Sequence, residues 1–390
     1  MKDLTLNNIK NDEIFILRAE CLNTALERLL VGDVPLLPAI TALRSDADAA
    51  LLMSPKSVVD KLYIPPSGDK HDYMSLGPYW WPDPDTVDGL PYIRRDGEVN
   101  PESLNDNFDR ERFSKTMTAI ETLALAYYFT NHQAYAEKAA VLLRHWFLSP
   151  TTRMNPHLQY GQAIPGRVDG RDIGIIDTRL LSNIVDAIGL LDNSSVLSDD
   201  DFVGLTAWMR DYLDWLLTSS HGIGESAQHN NHGTWYDVQA ASLACFTGQF
   251  DIARQVISDS GMKRINAHIA VDGSQPKELA RTRSWDYSVM NLDGLIRLAE
   301  LGRHVNVDLW HHATPEGAGI LTAIDFLAQY ADGKKAWQYQ QIHEINFTST
   351  LPYHLRWVKL ISGDDKYERL LEMLPKEAIS KHRVQLLYPG

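Results

Sequence analysis

The stretch FDRERFSKTMTAIETLALAYYFTNHQAYAEKAAVLLRHWFL, residues 108–148, carries the strongest structural pattern in the sequence. Apolar residues recur at three- and four-residue spacing on both sides of the short polar segment TNHQ at 130–133, which is typical of two amphipathic helices joined by a turn. Sequential helices with short connections pack as antiparallel neighbours. The stretch therefore predicts a helical hairpin.

The same helical pattern recurs along most of the chain. It covers residues 12–31 and the segments 175–192, 199–219, 234–247, 250–260, 286–302, 316–330 and 350–362. A long series of hairpins either stacks as a solenoid or closes into a ring of paired helices. No strict repeat of about 30 to 45 residues is visible, which counts against a regular solenoid. Since no linker divides the sequence, we predict that residues 1–390 form a single domain.

Two segments interrupt the helical pattern. Residues 63–107 and 150–174 are rich in Pro, Gly, Asp and aromatic residues, and the second segment also carries several arginines. Loops this long in a compact domain are usually functional or disordered. Because the aromatic content argues against disorder, we predict that both segments are ordered walls of a cleft.

Composition excludes several classes of protein. A chain of 390 residues with 44% hydrophobic and 23% charged residues is typical of a folded protein. The formal net charge of −14 argues against a general nucleic-acid-binding protein. No run of about eighteen apolar residues occurs, so no membrane span is expected. The chain has two cysteines, Cys21 and Cys245, which lie far apart in no metal-binding pattern, so a four-cysteine zinc site and a disulfide framework are excluded.

The amino-terminal stretch MKDLTLNNIKNDEIF is polar and lacks the apolar core of a signal peptide. We expect a periplasmic or secreted protein if a leader has been removed, and the cytoplasm stays open if none has.

The stretch HNNHGTWYDVQAA, residues 229–241, runs directly into a helical pattern. Asn231 and His232 are therefore expected near a helix amino terminus, where free backbone amides and the helix dipole favour an anion. Alternatively, Asn230 or Asn231 caps the helix and His232 packs beneath it. His229 and His232 form an HxxH pair, but no nearby acidic residue or cysteine completes a metal site, so we expect no metal and no other cofactor.

The stretch DGSQPKELARTRSWDYSVMNLDGL, residues 272–295, combines Arg281, Arg283 and Tyr287 ahead of a second helical pattern. If the helix has begun by Arg283, that residue and Tyr287 share a face, because side chains four residues apart are neighbours. An arginine beside the tyrosine hydroxyl is expected to lower its pKa from about 10. The alternative is an ordinary arginine–aspartate pair at a helix start, with Tyr287 half-buried.

Together these two stretches resemble the alginate lyase family of polysaccharide lyases, in which an Asn-His pair opens one helix and an Arg…Tyr element follows. Here Asn231-His232 and Arg281…Tyr287 stand in that order, with Tyr287 fifty-five positions after His232. The segments KHDYMSLGPYWWPDP and GRVDGRDIGIIDT also look like those of bacterial members, so the resemblance spans roughly residues 60 to 300. Arg281 and Arg283 compete for the family's single arginine role, and the spacing favours Arg281.

The resemblance implies an all-α fold, an incomplete (α/α) toroid or barrel of antiparallel helix hairpins with long ordered loops lining a cleft. It also implies a lyase that cleaves a β-1,4-linked uronan, with mannuronate-rich alginate favoured, by metal-free β-elimination. Asn231, His232 and Arg281 would offset the charge of the substrate carboxylate. Tyr287 would act as base toward C5–H and as acid toward the leaving oxygen, a syn geometry that suits mannuronate or glucuronate. For guluronate the proton lies on the opposite face, and a separate base such as His232 would be needed.

An anionic uronic-acid polysaccharide or oligosaccharide is accordingly the expected partner, without nucleic acid or membrane, and we expect cleavage within the chain. Aromatic and basic side chains are candidates for stacking on sugar rings or binding carboxylates, although each has a packing or surface role as its alternative. These candidates are Arg283, Trp235, Tyr73, His71, Tyr79, Trp80, Trp81, Arg153, Arg167 and Arg171.

Three other functions remain open from the sequence. A glucuronan lyase would use the same mechanism. A glycoside hydrolase on the same scaffold would need two carboxylates several ångströms apart; the candidates are Asp72, Asp169, Asp177, Asp237 and Asp286. A glycan-binding protein without catalysis would keep the aromatic cleft and have no use for the Asn-His and Arg…Tyr elements.

Overall fold

The structure, a computed structural model, describes residues 9–10 and 13–390, and most of them are helical. The helices are α1 Ala19–Leu30, α2 Leu37–Leu51, α3 Arg110–Thr130, α4 Gln133–Leu143, α5 Leu181–Leu191, α6 Asp199–Thr218, α7 Ser220–Ser226, α8 Asn231–Phe246, α9 Phe250–Ser260, α10 Asn266–His268, α11 Pro276–Leu279, α12 Ser284–Gly302, α13 Ile320–Ala328, α14 Leu351–Ser362, α15 Lys366–Met373, α16 Lys376–Lys381 and α17 Val384–Leu387. The predicted all-α class is confirmed.

The long helices form an open ring of two layers. In the inner layer α3 packs on α5, α5 on α8, α8 on α12 and α12 on α14. Outer helices pack against this layer: α4 against α3, α6 and α9 against α8, and α13 against α12. The ring does not close into a barrel, as expected for an incomplete (α/α) toroid.

The inner helices point in the same direction. At one end of the ring a cleft contacts Arg110 near the start of α3 and Tyr287 in the first turn of α12. At the other end a separate cavity contacts Leu125 and Arg297, which lie further along the same two helices. The positive ends of the helix dipoles therefore converge on the cleft.

The hairpin predicted from residues 108–148 is present. Helix α3 ends at Thr130, and Asn131 takes the left-handed conformation (φ 53°) that turns the chain into α4. The helix predicted over 12–31 is shorter than expected, since α1 starts at Ala19, and residue 12 lies outside the described residues. The preceding segment bends at residues 15–17, where the backbone amides of Phe15 and Leu17 each donate to the buried carboxylate of Asp186, at 2.7 Å.

Both long loops are ordered, and short strands join them. Strand β1 (Met74–Leu76) of the first loop pairs in parallel with β4 (Tyr160–Ala163) of the second, while β2 (Trp80–Trp81) and β3 (Ile93–Arg94) form an antiparallel pair. Buried Lys61 and Asp109, 3.1 Å apart, anchor the base of the first loop.

Cys21 and Cys245 are free and buried. No described helix is long and apolar enough to cross a membrane. One domain over residues 1–390 remains a prediction.

Candidate active site

The cleft at the amino-terminal end of the inner helices has a volume of about 440 Å³. It brings together the two sequence elements that stand far apart along the chain. Asn231, His232, Arg281, Arg283 and Tyr287 all line it.

Asn231 and His232 form the first two residues of α8, which Asn230 caps by accepting a hydrogen bond from the backbone amide of His232 at 3.1 Å. The backbone N and the Nδ2 of Asn231 both donate to the carboxylate of Glu278, at 2.7 and 2.8 Å. Glu278 is almost fully buried on α11. This pair of bonds fixes the Asn231 side chain, whose buried Oδ1 has no hydrogen-bond partner among the described residues.

His232 is held by a second buried carboxylate. Its Nδ1 lies 2.9 Å from Oε1 of Glu225, which is fully buried on α7. Burial raises the pKa of Glu225, and the neighbouring His232 opposes this shift. When Glu225 is ionised it accepts the hydrogen on Nδ1, which leaves Nε2 as the nitrogen that can meet a ligand.

This contact predicts the effect of replacing Glu225 with glutamine. Glutamine keeps an oxygen that can accept from Nδ1 but loses the charge, so kcat on a uronan is expected to fall by about ten- to a hundredfold. Glu300 is an equally buried glutamate, whose partners Arg18 and Trp310 do not line the cleft. Glu300→Gln is the control: it should lower the melting temperature and leave kcat of the folded protein unchanged. Equal kcat losses in both variants would count against a specific role for Glu225.

Tyr287 contacts a second tyrosine and an arginine. Its hydroxyl lies 2.5 Å from the hydroxyl of Tyr79, and the guanidinium carbon of Arg281 lies 4.0 Å from the centre of its ring. Burial and then Tyr79 raise the pKa of Tyr287 well above its usual value, and the opposing effect of Arg281 is smaller. The expectation that an arginine lowers this pKa is therefore wrong for the net shift. In the free protein the Tyr287 hydroxyl is protonated at neutral pH.

The tyrosine pair predicts a pH effect. A base with a raised pKa becomes more effective as pH rises, so kcat/KM should increase toward alkaline pH. Tyr79→Phe removes one cause of the raised pKa of Tyr287. The rising limb of the profile should therefore move to lower pH in this variant. Initial rates of the wild type and the variant across the alkaline range test this, and a limb that stays in place or moves to higher pH would refute it.

The two candidate arginines differ in their surroundings. Arg281 forms a two-point ion pair with Asp96, at 2.8 and 3.2 Å. Burial acts to raise the pKa of Asp96, but the hydrogen bond and charge of Arg281 bring it down to about 2. Arg283 precedes the first residue of α12 and pairs with Asp286 at 2.8 Å. Arg281 alone of the two stacks on the Tyr287 ring.

The cleft is strongly cationic although the chain is acidic. Six arginines are among the described residues that line it: Arg94, Arg110, Arg171, Arg179, Arg281 and Arg283. Asp286 is the one aspartate or glutamate in the same lining. Together with the helix amino termini, this charge favours an anionic ligand.

Trp80 and Arg171 also line the cleft. The guanidinium of Arg171 lies 5.8 Å from the centre of the Trp80 ring, and that of Arg167 lies 5.4 Å from it. Arg167 and Trp81 are outside the lining: Arg167 donates to the carbonyl of Tyr92, and Trp81 donates to the carbonyl of Glu98. The predicted binding roles of these four residues stay predictions.

Three further predicted substrate contacts lie outside the lining of the cleft. Tyr73 is fully buried, and its hydroxyl donates to Asp177 at 3.2 Å. Trp235 is 5% exposed and donates to the carbonyl of Met290 at 3.0 Å, and it lines a neighbouring cavity instead of the cleft. His71 lies outside the lining, and its Nδ1 is 2.6 Å from the carbonyl of Arg153, a contact that joins the two long loops.

The aspartates that a hydrolase would need do not meet in the cleft. Of the five sequence candidates, all within the described residues, Asp286 alone lines it. Asp177 and Asp237 are buried: Asp177 accepts from Ser75, and Asp237 pairs with Arg264 at 2.8 Å. Across residues 9–10 and 13–390, no three His, Cys, Asp or Glu side chains are placed to hold a metal ion.

Both the sequence and the structure of this chain are similar to those of known proteins. The family described as alginate lyase matches residues 57–337. An alginate lyase from Bacteroides ovatus is 39% identical in sequence, and the two structures superpose with a TM-score of 0.90 over 96% of this chain and 98% of that chain. No curated protein matches the chain.

Two more distant structures share the fold. Alginate lyase A1-III from Sphingomonas species A1 gives a TM-score of 0.53 at 14% identity, over 90% of this chain and 96% of that chain. A histidine-to-alanine variant of alginate lyase A1-III, complexed with a tetrasaccharide, gives a TM-score of 0.61 at 14% identity, over 98% of this chain and 97% of that chain. At this identity the likeness concerns the fold alone.

Proposed function

The chain belongs to the alginate lyase family and is a polysaccharide lyase, and on that premise we propose that it cleaves β-1,4-linked mannuronate within alginate chains by metal-free syn β-elimination. The observation that carries the proposal is the meeting of Asn231, His232, Arg281 and Tyr287 in one cationic cleft. Each of these side chains supplies a group that elimination from a uronate requires.

The first requirement is charge compensation. The C5 proton of a uronate is only weakly acidic while the neighbouring carboxylate is ionised, and negative charge grows on that group as the proton leaves. Donors fixed in advance around the carboxylate stabilise this charge. The amide of Asn231, the imidazole of His232 and the guanidinium of Arg281 are such donors, and buried Glu278 and Glu225 hold the first two in place.

The second requirement is a group that moves one proton. Once the Tyr287 hydroxyl has lost its proton to solvent, its phenolate oxygen takes the proton from C5, the electrons of the C5–H bond form the C4=C5 double bond, and the bond from C4 to the glycosidic oxygen breaks. The same proton then passes from Tyr287 to the leaving oxygen. A single hydroxyl can serve both atoms when they lie on one face, as in β-linked mannuronate. The hydrogen bond between the Tyr79 and Tyr287 hydroxyls holds the Tyr287 oxygen in position.

The proposal that the polysaccharide is cleaved within its chain is supported by the position of the segment 337–346, which lies beside α12. The segment 337–346 packs beside the start of this helix, where Ser284 donates to the carbonyl of Gln340 at 2.6 Å. None of its residues lines the cleft in the described structure. This segment therefore does not close the cleft, and we expect a bound polymer to extend beyond it.

The test is the absorbance of an unsaturated product near the ultraviolet edge. Wild-type protein is mixed with polymannuronate, polyguluronate or glucuronan, each with and without a chelator. A rise with polymannuronate that the chelator leaves unchanged supports the proposal. A larger rise with glucuronan would make the protein a glucuronan lyase of the same mechanism, whereas new reducing ends without absorbance would indicate hydrolysis. No reaction with any uronan would overturn the proposal.

A further inference from the structure

The cleft does not end at Tyr287. A second cavity of about 310 Å³ lies next to it along the axis of the ring. Arg179, Asp286 and Met290 line both spaces, so the two are neighbours across these side chains. The walls of the second cavity include Asp293 and Arg297 of α12.

Arg179 stands at this junction without a partner. Within the described residues its guanidinium makes no hydrogen bond and no ion pair, although the residue is only partly exposed. Burial, and next the like charge of Arg110, lower the pKa of Arg179. Asp177 and Asp293 act in the opposite direction.

Arg110, the second arginine, is no better compensated. Its nearest carboxylate is Asp177, at 3.8 Å, and its buried NH1 group has no hydrogen-bond partner among the described residues. The Asp177 carboxylate already accepts hydrogen bonds from Ser75 at 2.6 Å and from Gln162 at 2.9 Å. The positive charges of Arg179 and Arg110 are therefore opposed mainly by the carboxylate of Asp177, which already accepts hydrogen bonds from Ser75 and Gln162.

Three arginines nearby each have a carboxylate partner. Arg281 has Asp96 at 2.8 Å, Arg283 has Asp286 at 2.8 Å, and Arg297 has Asp293 at 2.9 Å. A guanidinium removed from bulk water without an anion is costly for the folded protein. The excess charge at Arg179 and Arg110 is therefore suited to an anion that arrives with a ligand.

We propose that Arg179 and Arg110 form a carboxylate-binding subsite for a uronate unit other than the one being cleaved. The site lies where the cleft meets the second cavity, so that a polymer bound in the cleft places a further carboxylate there. The inference rests on the proposed function in one respect, that the ligand is a uronan. It assigns Arg179 to binding, whereas Arg281 faces the reacting unit.

The experiment measures binding and stability in the same variants. Arg179→Gln is made in a Tyr287→Phe background, and binding of the tetramers of mannuronate, guluronate and glucuronate is followed by calorimetry. Loss of a charged hydrogen-bond donor is expected to weaken binding of the preferred tetramer by about tenfold or more. Because an uncompensated charge is removed, the melting temperature of the free protein should rise by about 1–3 °C. Arg179→Lys should bind with intermediate affinity.

Arg297→Gln is the matched control, because Arg297 lines the same second cavity but is paired with Asp293. It should lower the melting temperature. Unchanged tetramer affinity in Arg179→Gln, or a lower melting temperature of the free variant, would overturn the subsite. A fall in kcat as large as the rise in KM in the otherwise wild-type protein would place Arg179 at the reacting unit instead, and would also overturn it.

The two proposals fail in different ways. If Tyr287→Phe protein binds none of the tetramers, the proposed function and the subsite both fall. If it binds them equally well with and without Arg179, the subsite alone falls. Tight tetramer binding by a wild-type protein that forms no unsaturated product would overturn the proposed function, and the subsite would still be judged by the affinities.

Discussion

Tyr287→Phe is expected to reduce kcat on polymannuronate by at least about 10³-fold, because the same hydroxyl is assigned to removing the C5 proton and to protonating the leaving oxygen. The substitution removes one oxygen and leaves the ring under Arg281, so the cleft should keep its shape. KM should change little, since the ring does not supply the charge that binds the polymer. The rate of absorbance increase at saturating polymannuronate measures the effect.

A tyrosine outside the cleft provides the control. The hydroxyl of Tyr135 donates to Asp48 at 2.6 Å, and neither residue lines the cleft. Tyr135→Phe should lower the melting temperature slightly and keep full activity. If Tyr287→Phe retained a tenth or more of the wild-type kcat, another group would have to remove the proton, with His232 the next candidate.

Arg281→Gln is expected to reduce kcat by about 10²–10³-fold, and Arg283→Gln by about tenfold or less. Arg281 contacts the Tyr287 ring, and its charge favours both the phenolate and the developing charge on the substrate. Arg283 forms an ion pair with Asp286 at the start of α12. Replacing Arg283 removes only this partly exposed ion pair. Steady-state kinetics of the two variants on polymannuronate therefore separates the two arginines, which the sequence could not do with certainty.

The arginine comparison needs a check on folding. Arg281→Gln leaves Asp96 with only Arg94, 2.6 Å away, as a paired cation. Some loss of stability is therefore expected, and melting temperatures of both variants must be reported with the rates. A larger loss of kcat in folded Arg283→Gln than in folded Arg281→Gln would reverse the assignment.

The sequence predicted what local rules determine. Residue spacing around TNHQ gave the α3–α4 hairpin, and the Asn-rich stretch gave the start of α8 with Asn230 as its cap. Both features depend on residues within one or two helical turns. The resemblance to a known family then joined Asn231-His232 to Tyr287, an association that no periodicity contains.

Long-range packing accounts for what the sequence did not show. Tyr73 and Trp235 have the aromatic character of sugar-binding residues, yet both are buried, and spacing alone does not say which face of an element meets the core. Glu225 and Glu278 hold the site residues from other helices, and no motif marks either one. The raised pKa of Tyr287 follows from burial and from Tyr79, which lies 208 positions away in the sequence.

The central claim is that one hydroxyl on one face of the sugar moves the proton. The most direct test compares initial rates of absorbance increase for the wild-type protein on polymannuronate and polyguluronate of matched length and concentration. Syn elimination through Tyr287 predicts a rate on polymannuronate at least about tenfold higher, because the C5 proton and leaving oxygen of guluronate lie on opposite faces. Equal rates, or a faster rate on polyguluronate, would contradict the account and would require a base on the other face.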